Sequence, residues 1–252
     1  MKRKRTVLLF AATVIAGVIF SVEQVRADVY MKSKVHTSAY QMGGRSEPAT
    51  DAVIITWLTK DKARMDHDDG TSWLFHGDEG IFYRIDHNKR EYSVLQLNFK
   101  IQLKRAPGGD PGKAKSAGKM QIMNLSAKVT KTKETKMIGA WNCRKYIIKT
   151  SMGMAGTITY ESWATEDIKI DIDYATAFAL THAMMSVMSG FENYLKEMRK
   201  VQGVIVHETY KTKTFRGETG TTTKELIECA EKAAPAGAYD IPAGYTKVES
   251  AR

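Results

Sequence analysis

The chain has 252 residues and a formal net charge of +10, from 38 Lys and Arg against 28 Asp and Glu. That length allows one large domain with a substantial core. Its two cysteines stand far apart with no CxxC pair, which excludes a dithiol redox motif or a zinc ribbon.

Lys2, Arg3, Lys4 and Arg5 form a basic start, and Thr6 to Phe20 is an apolar-to-small run. Val25-Arg26-Ala27 then places small residues at the −3 and −1 positions of a cut before Asp28. This is the layout of a cleaved signal peptide over residues 1–27, and the apolar run is short for a membrane span. An exported, periplasmic protein is expected. Removing that segment takes away five basic side chains and one acidic, so the mature chain would carry +6. In that compartment the surplus suits weak contact with an anionic membrane surface and argues against nucleic acid.

From Val29 to Leu97 the chain reads as a meander of short strands. Val29–Tyr40 alternates loosely, Gly43-Gly44 and Pro48 mark a loop, and Ala52–Leu58 is rich in β-formers. Turn residues then separate Ala63–His67, Thr71–His76, Ile81–Asp86 and Glu91–Leu97. Turns every eight to twelve residues belong to an antiparallel sheet rather than to βαβ units. Lys104 to Lys119 lacks large apolar residues and reads as a flexible basic loop. Strands resume at Ser126–Thr135, Ala140–Thr150 and Gly156–Ala164.

Asp173 to Lys200 carries the helical pattern of the chain, with Asp173 as its cap. Tyr174, Phe178, Met185 and Met188 recur near helical spacing, as do Leu180, Met184, Phe191, Leu195 and Met198. Its first half is apolar almost all round, so it must be covered on more than one side. A curved sheet wrapped around the helix is the simplest cover. Val204–Phe215 and Thr221–Ala230 then suggest a closing hairpin, and Tyr239–Val248 a final extended segment. The expected fold class is mainly β: one antiparallel half-barrel domain over residues 28–252, wrapped around a Met-rich amphipathic helix.

Familiar catalytic patterns fail on spacing. Gly108 to Lys113 has too short a glycine interval for a phosphate loop, and Ala114 replaces the required Ser or Thr. Asp66-His67-Asp68-Asp69-Gly70 is out of register for a calcium loop and reads as a turn. His207-Glu208 lacks the second histidine of a zinc protease helix, and no GxSxG elbow is present. His67, His76 and His87 stand near turns with Asp66, Asp78 and Asp86, where a polar turn role outweighs a metal site. His182 reads as a satisfied core histidine. No enzyme, metal or cofactor is expected. Cys143 and Cys229 are candidates for a disulfide in an oxidising compartment.

Five segments stand out together: KARMD (Lys62–Asp66), YRIDHNKREYSVL (Tyr83–Leu95), IGAWNCRKYII (Ile138–Ile148), ESWAT (Glu161–Thr165) and YDIPAGYTKV (Tyr239–Val248). The set resembles a family of exported bacterial domains of unknown function, similar in fold to the periplasmic lipoprotein carriers. The resemblance implies an antiparallel half-barrel closed by a helical lid, with the Met-rich helix lying across the concave face. It carries no catalytic residues over.

Methionine is flexible and polarisable, which suits a surface that repacks around variable apolar partners. The expected function is therefore a non-enzymatic binding protein that holds a lipid or an acylated protein in the concave face. Phe178, Met184, Met185, Met188 and Phe191 are the candidate lining residues on the helix, with Trp57, Trp73 and Trp163 on strands. The alternative is an envelope interaction module with a dry core and no ligand.

Overall fold

The computed structural model describes residues 27–97, 124–153, 156–172, 174–214 and 217–249. Residues 1–26 of the expected signal peptide, the expected basic loop at 104–119, Met154 and the proposed cap Asp173 lie outside the described residues.

The strands follow the turn chemistry closely. β1 (Asp28–Thr37) runs into a small hairpin of β2 (Tyr40–Met42) and β3 (Arg45–Glu47). The meander follows: β4 (Thr50–Leu58), β5 (Lys62–His67), β6 (Thr71–His76), β7 (Ile81–Asp86) and β8 (Glu91–Gln96). Next come three long strands, β9 (Leu125–Ile138), β10 (Trp141–Met152) and β11 (Thr157–Thr165). After the helical segment the chain adds β12 (Val204–Thr214), β13 (Gly217–Glu218), β14 (Thr222–Lys232) and β15 (Thr246–Lys247).

One curved sheet takes up thirteen of these strands, in the order β15-β8-β7-β6-β5-β4-β1-β14-β12-β11-β10-β9 with β13 beside β12. Every pairing in it is antiparallel except that of β15 with β8. The expected mainly β half-barrel is what forms. The central joint is non-local, because β14 pairs with β1 from the other end of the chain. No helix among the described residues is long and apolar enough to cross a membrane.

The helical segment differs from the single helix expected over 173–200. It consists of α1 (Tyr174–Thr181), a 3-10 turn over Ala183–Val187, and α2 (Phe191–Met198). Met188 is extended, Ser189 makes a bridge with Asn124, and the Leu125 N–H donates to the Ser189 carbonyl at 2.7 Å. Gly190 then caps α2 in the left-handed region at φ 89°. The periodic apolar pattern continues across this break because both helices face the same concave surface. Periodicity reports a face, not an unbroken backbone.

Two apolar clusters form where the helices meet the sheet. Phe178 and Ala179 of α1 join Phe191, Tyr194, Leu195 and Met198 of α2 against Leu125, Val129, Tyr146 and Ile148. On the other flank Ala177 and Leu180 pack with Val29, Leu58, Ala63, Phe75 and Phe82. α1 is thus covered on two sides, as its all-round apolar character requires.

The outer face of the meander is also covered. Leu74 and Ile85 are fully buried, yet they alternate with the inward Phe75 and Phe82. A C-terminal strap ties itself there. Arg64 donates to the Ala238 carbonyl, His76 Nε2 to the Tyr239 carbonyl at 2.8 Å, and His87 Nδ1 pairs with the Tyr245 hydroxyl at 2.9 Å.

Gly190 tests whether the helix break is built in. A Cβ at this position would meet the Leu125 carbonyl oxygen at 2.2 Å on top of the positive φ. Gly190→Ala is expected to cost roughly 3 kcal/mol or more in urea denaturation. Gly139→Ala, at φ +57° with nothing within 4 Å, should cost only about 1–2 kcal/mol.

Candidate functional site: a cavity under the first helix

Between the two clusters, where α1 spans the middle of the sheet, the concave face encloses a cavity of about 380 Å³. Its apolar wall comes from Met31 on β1, Ile54 on β4, Met65 on β5, Trp73 on β6 and Leu226 on β14, roofed by Ala177 and Phe178. The cavity is open to solvent where the exposed Lys224 lines it, so it holds water or a ligand.

The register explains how the lining is graded. On the inner face Met31 lies opposite Thr56, which faces Met65, which faces Trp73. Two residues along β1, Ser33 lies opposite both Ile54 and Leu226. The next step places Val35 opposite Lys224, Lys224 opposite Glu208, and Glu208 opposite Ser162. A last step brings Thr37, Thr222, Tyr210 and Tyr160 into one row. The inner surface thus changes from apolar to polar within two steps of the strand period.

The polar end is hydrogen-bonded in part. Ser162 Oγ donates to Glu208 Oε1 at 2.6 Å, and the Thr37 and Thr222 hydroxyls meet at 3.0 Å. Burial raises the Glu208 carboxyl above the usual carboxylate range, opposed by the Ser162 hydrogen bond and the Lys224 charge. Burial likewise raises the hydroxyls of Tyr160 and Tyr210, and pushes Tyr194 up to about 12. Lys224 is exposed while it lines the cavity, so this end is the open one.

His182, at the end of α1, stacks on Phe178 with ring centroids 3.9 Å apart. Its Nδ1 lies within hydrogen-bond distance of the Phe178 carbonyl and the Thr181 hydroxyl. Burial, helped by the Lys224 charge, pushes its pKa down to about 4. His67 also lines the cavity, its ring tilted against Trp73 with centroids 4.9 Å apart, and its buried Nε2 has no hydrogen-bond partner.

Of the side chains singled out in the sequence, Phe178 and Trp73 border the cavity. Phe191, Met185 and Met188 pack instead into the apolar cluster beside β9, and Met184 is 42 % exposed. Trp57 alternates to the outer face, where it meets Tyr30 at 4.8 Å. Trp163 alternates with the inward Ser162 and Ala164, and Lys136 Nζ sits 4.1 Å from its ring centroid. The cavity thus falls under α1, whereas most of the methionines lie beyond it. Cys143 and Cys229 are unbridged. Their strands are three positions apart in the sheet, on the order of 14 Å along it, against a Cα separation of about 4.4–6.8 Å for a disulfide.

The meander histidines serve separate contacts. His87 Nε2 lies 2.7 Å from Ser72 Oγ, and Ser72 Oγ donates to Asp66 Oδ1 at 2.5 Å. Since the serine has one proton and spends it on Asp66, His87 donates to the serine instead of deprotonating it. Ser72 is 1 % exposed, so no substrate reaches it. This Ser–His–Asp arrangement is an anchor for the strap through Tyr245.

Sequence reasoning missed Glu208, Lys224, Tyr160 and Tyr210. The available signal was strand alternation: Val206, Glu208 and Tyr210 alternate along β12 and line the cavity, and a carboxyl stands in that series.

No family model matches the chain, and no curated relative matches it by sequence. Among solved structures it is similar to a LolA superfamily protein from Nitrosomonas europaea, at 8 % identity, with 85 % of this chain and 90 % of that chain covered and a TM-score of 0.32. No residue role is carried over from it.

His182 gives the site a pH signature. A histidine held neutral by burial stabilises the fold fully above its unfolded pKa of about 6.5, and that contribution is lost as pH falls towards 4. The loss is expected to be on the order of 3 kcal/mol between pH 7 and pH 4. Urea denaturation of His182→Gln should remove most of this difference.

Proposed function

We propose that this protein is a non-enzymatic binding protein that holds a lipophilic chain in the cavity beneath α1. The observation that carries the reading is the cavity itself: about 380 Å³ and walled largely by apolar side chains. It lies within the size range of small-molecule sites. The buried, unpartnered His67 Nε2 adds a polar atom that an occupant would satisfy. Methionines at Met31, Met65 and Met198 give the wall the adaptability that a flexible chain needs.

Export belongs to the same reading. The basic start at Lys2–Arg5, the apolar run to Phe20 and the Val25-Arg26-Ala27 cut favour a periplasmic protein. The basic stretch from Lys104 to Lys119 fits contact with an anionic membrane, from which a lipid or an acylated protein would be taken.

Filling the cavity tests the proposal. Val35→Phe and Ala177→Phe place bulk from opposite walls, so one serves if the other disturbs folding. Each is expected to weaken binding of a fluorescent acyl-chain probe by about tenfold or more, with the thermal transition retained. A folded variant with undiminished binding, or a wild-type protein that binds no acyl probe, would shift the assignment to an interaction module.

A further inference from the structure

We infer that the cavity selects a single-chain amphiphile with a carboxylate head, with the head at Lys224 and the chain running inward past Phe178. The inference rests on the binding reading above and adds the chemical class of ligand.

Size is the first constraint. At about 30 Å³ per water-sized unit, 380 Å³ holds about a dozen methylene-sized groups. One chain of medium length fills that space.

Polarity sets the direction. The open end carries Lys224, with Tyr160, Tyr210 and Glu208 lining the wall beside it, whereas Met31, Met65 and Trp73 line the far side. An amphiphile entering chain first leaves its head at the lysine.

Charge sets the head. Lys224 stands directly across from Glu208 in the sheet, yet among the described residues no carboxylate lies within ion-pair reach of its ammonium. Glu208 instead accepts from Ser162 and sits buried beneath. A monoanionic head answers one cation, and the hydroxyls of Tyr160 and Tyr210 are donors suited to carboxylate oxygens. A dianionic phosphate would leave a charge uncompensated. A cationic head would meet Lys224.

The test is calorimetric titration of the protein with dodecanoate, dodecanol, dodecyl phosphate and dodecyltrimethylammonium, repeated on Lys224→Met and Glu208→Gln. Dodecanoate is expected to bind about tenfold tighter than dodecanol, the scale of one hydrogen bond to a charged group. Lys224→Met should abolish that margin and leave dodecanol binding unchanged, which separates loss of the head contact from loss of folding. Equal binding of dodecanol and dodecanoate overturns the head assignment and leaves the cavity reading standing. Tighter binding of the phosphate overturns the carboxylate. Tighter binding of the ammonium, lost in Glu208→Gln, makes Glu208 the counter-ion and overturns the inference. No binding of any probe removes the cavity reading and this one with it.

Discussion

The structure depends on a mismatch between a wide curved sheet and the short helical segment that covers it. Thirteen strands curve around a concave face, while the two helices have eight residues each, about 12 Å of length apiece. Such a segment can seal the sheet near its two flanks but cannot fill the middle. The cavity arises where coverage is thinnest, over β1, β14 and β12, and α1 bridges it because its all-round apolar surface joins both clusters. The helix break serves the same geometry. Gly190 and the Ser189–Asn124 bridge turn α2 onto β9, leaving α1 over the centre.

The outer side is held by different physics. Arg64 lies within 2.7 Å of Asp66, and Asp66 also accepts from Ser72. Through Ala238, Tyr239 and Tyr245 this network clamps the strap over Leu74 and Ile85. The strap gives the meander strands a second covered face. Their inner face is thereby relieved of supplying all the burial, and part of it can border a cavity. A sheet covered on one side alone would have to pack that side densely.

Much of this was legible in the chain. Strand positions came from turn residues such as Asp68-Asp69-Gly70, which act locally and so leave a local record. The need to wrap α1 came from its composition. What stayed hidden depends on pairing at long range. Nothing in the sequence says that Lys224 stands opposite Glu208, or that β14 returns beside β1. The methionines and tryptophans stood out because they are large and rare. Alternation then sent Trp57 and Trp163 to the outer face, and the 3-10 turn that ends α1 carried Met185 and Met188 off towards β9. Glu208 stands beside His207 in a pair that lacks the spacing of a zinc-protease helix; its significance lies in the cavity face it shares with Val206 and Tyr210.

Glu208 and Lys224 also argue for an occupant in a way that the apolar wall does not. A buried carboxyl costs stability, and a lysine facing it across the strands offers the obvious remedy. The fold leaves that ion pair unmade, bonding Glu208 to Ser162 and keeping Lys224 at the cavity mouth. For stability alone, a pair of apolar residues at these two positions would serve better. Residues that break the local pattern without an internal return concentrate where a chain meets something other than itself. The dry-core alternative has no use for this end of the cavity. The proposed amphiphile would, because it would bring the charge that the lysine lacks and a chain to cover the apolar wall.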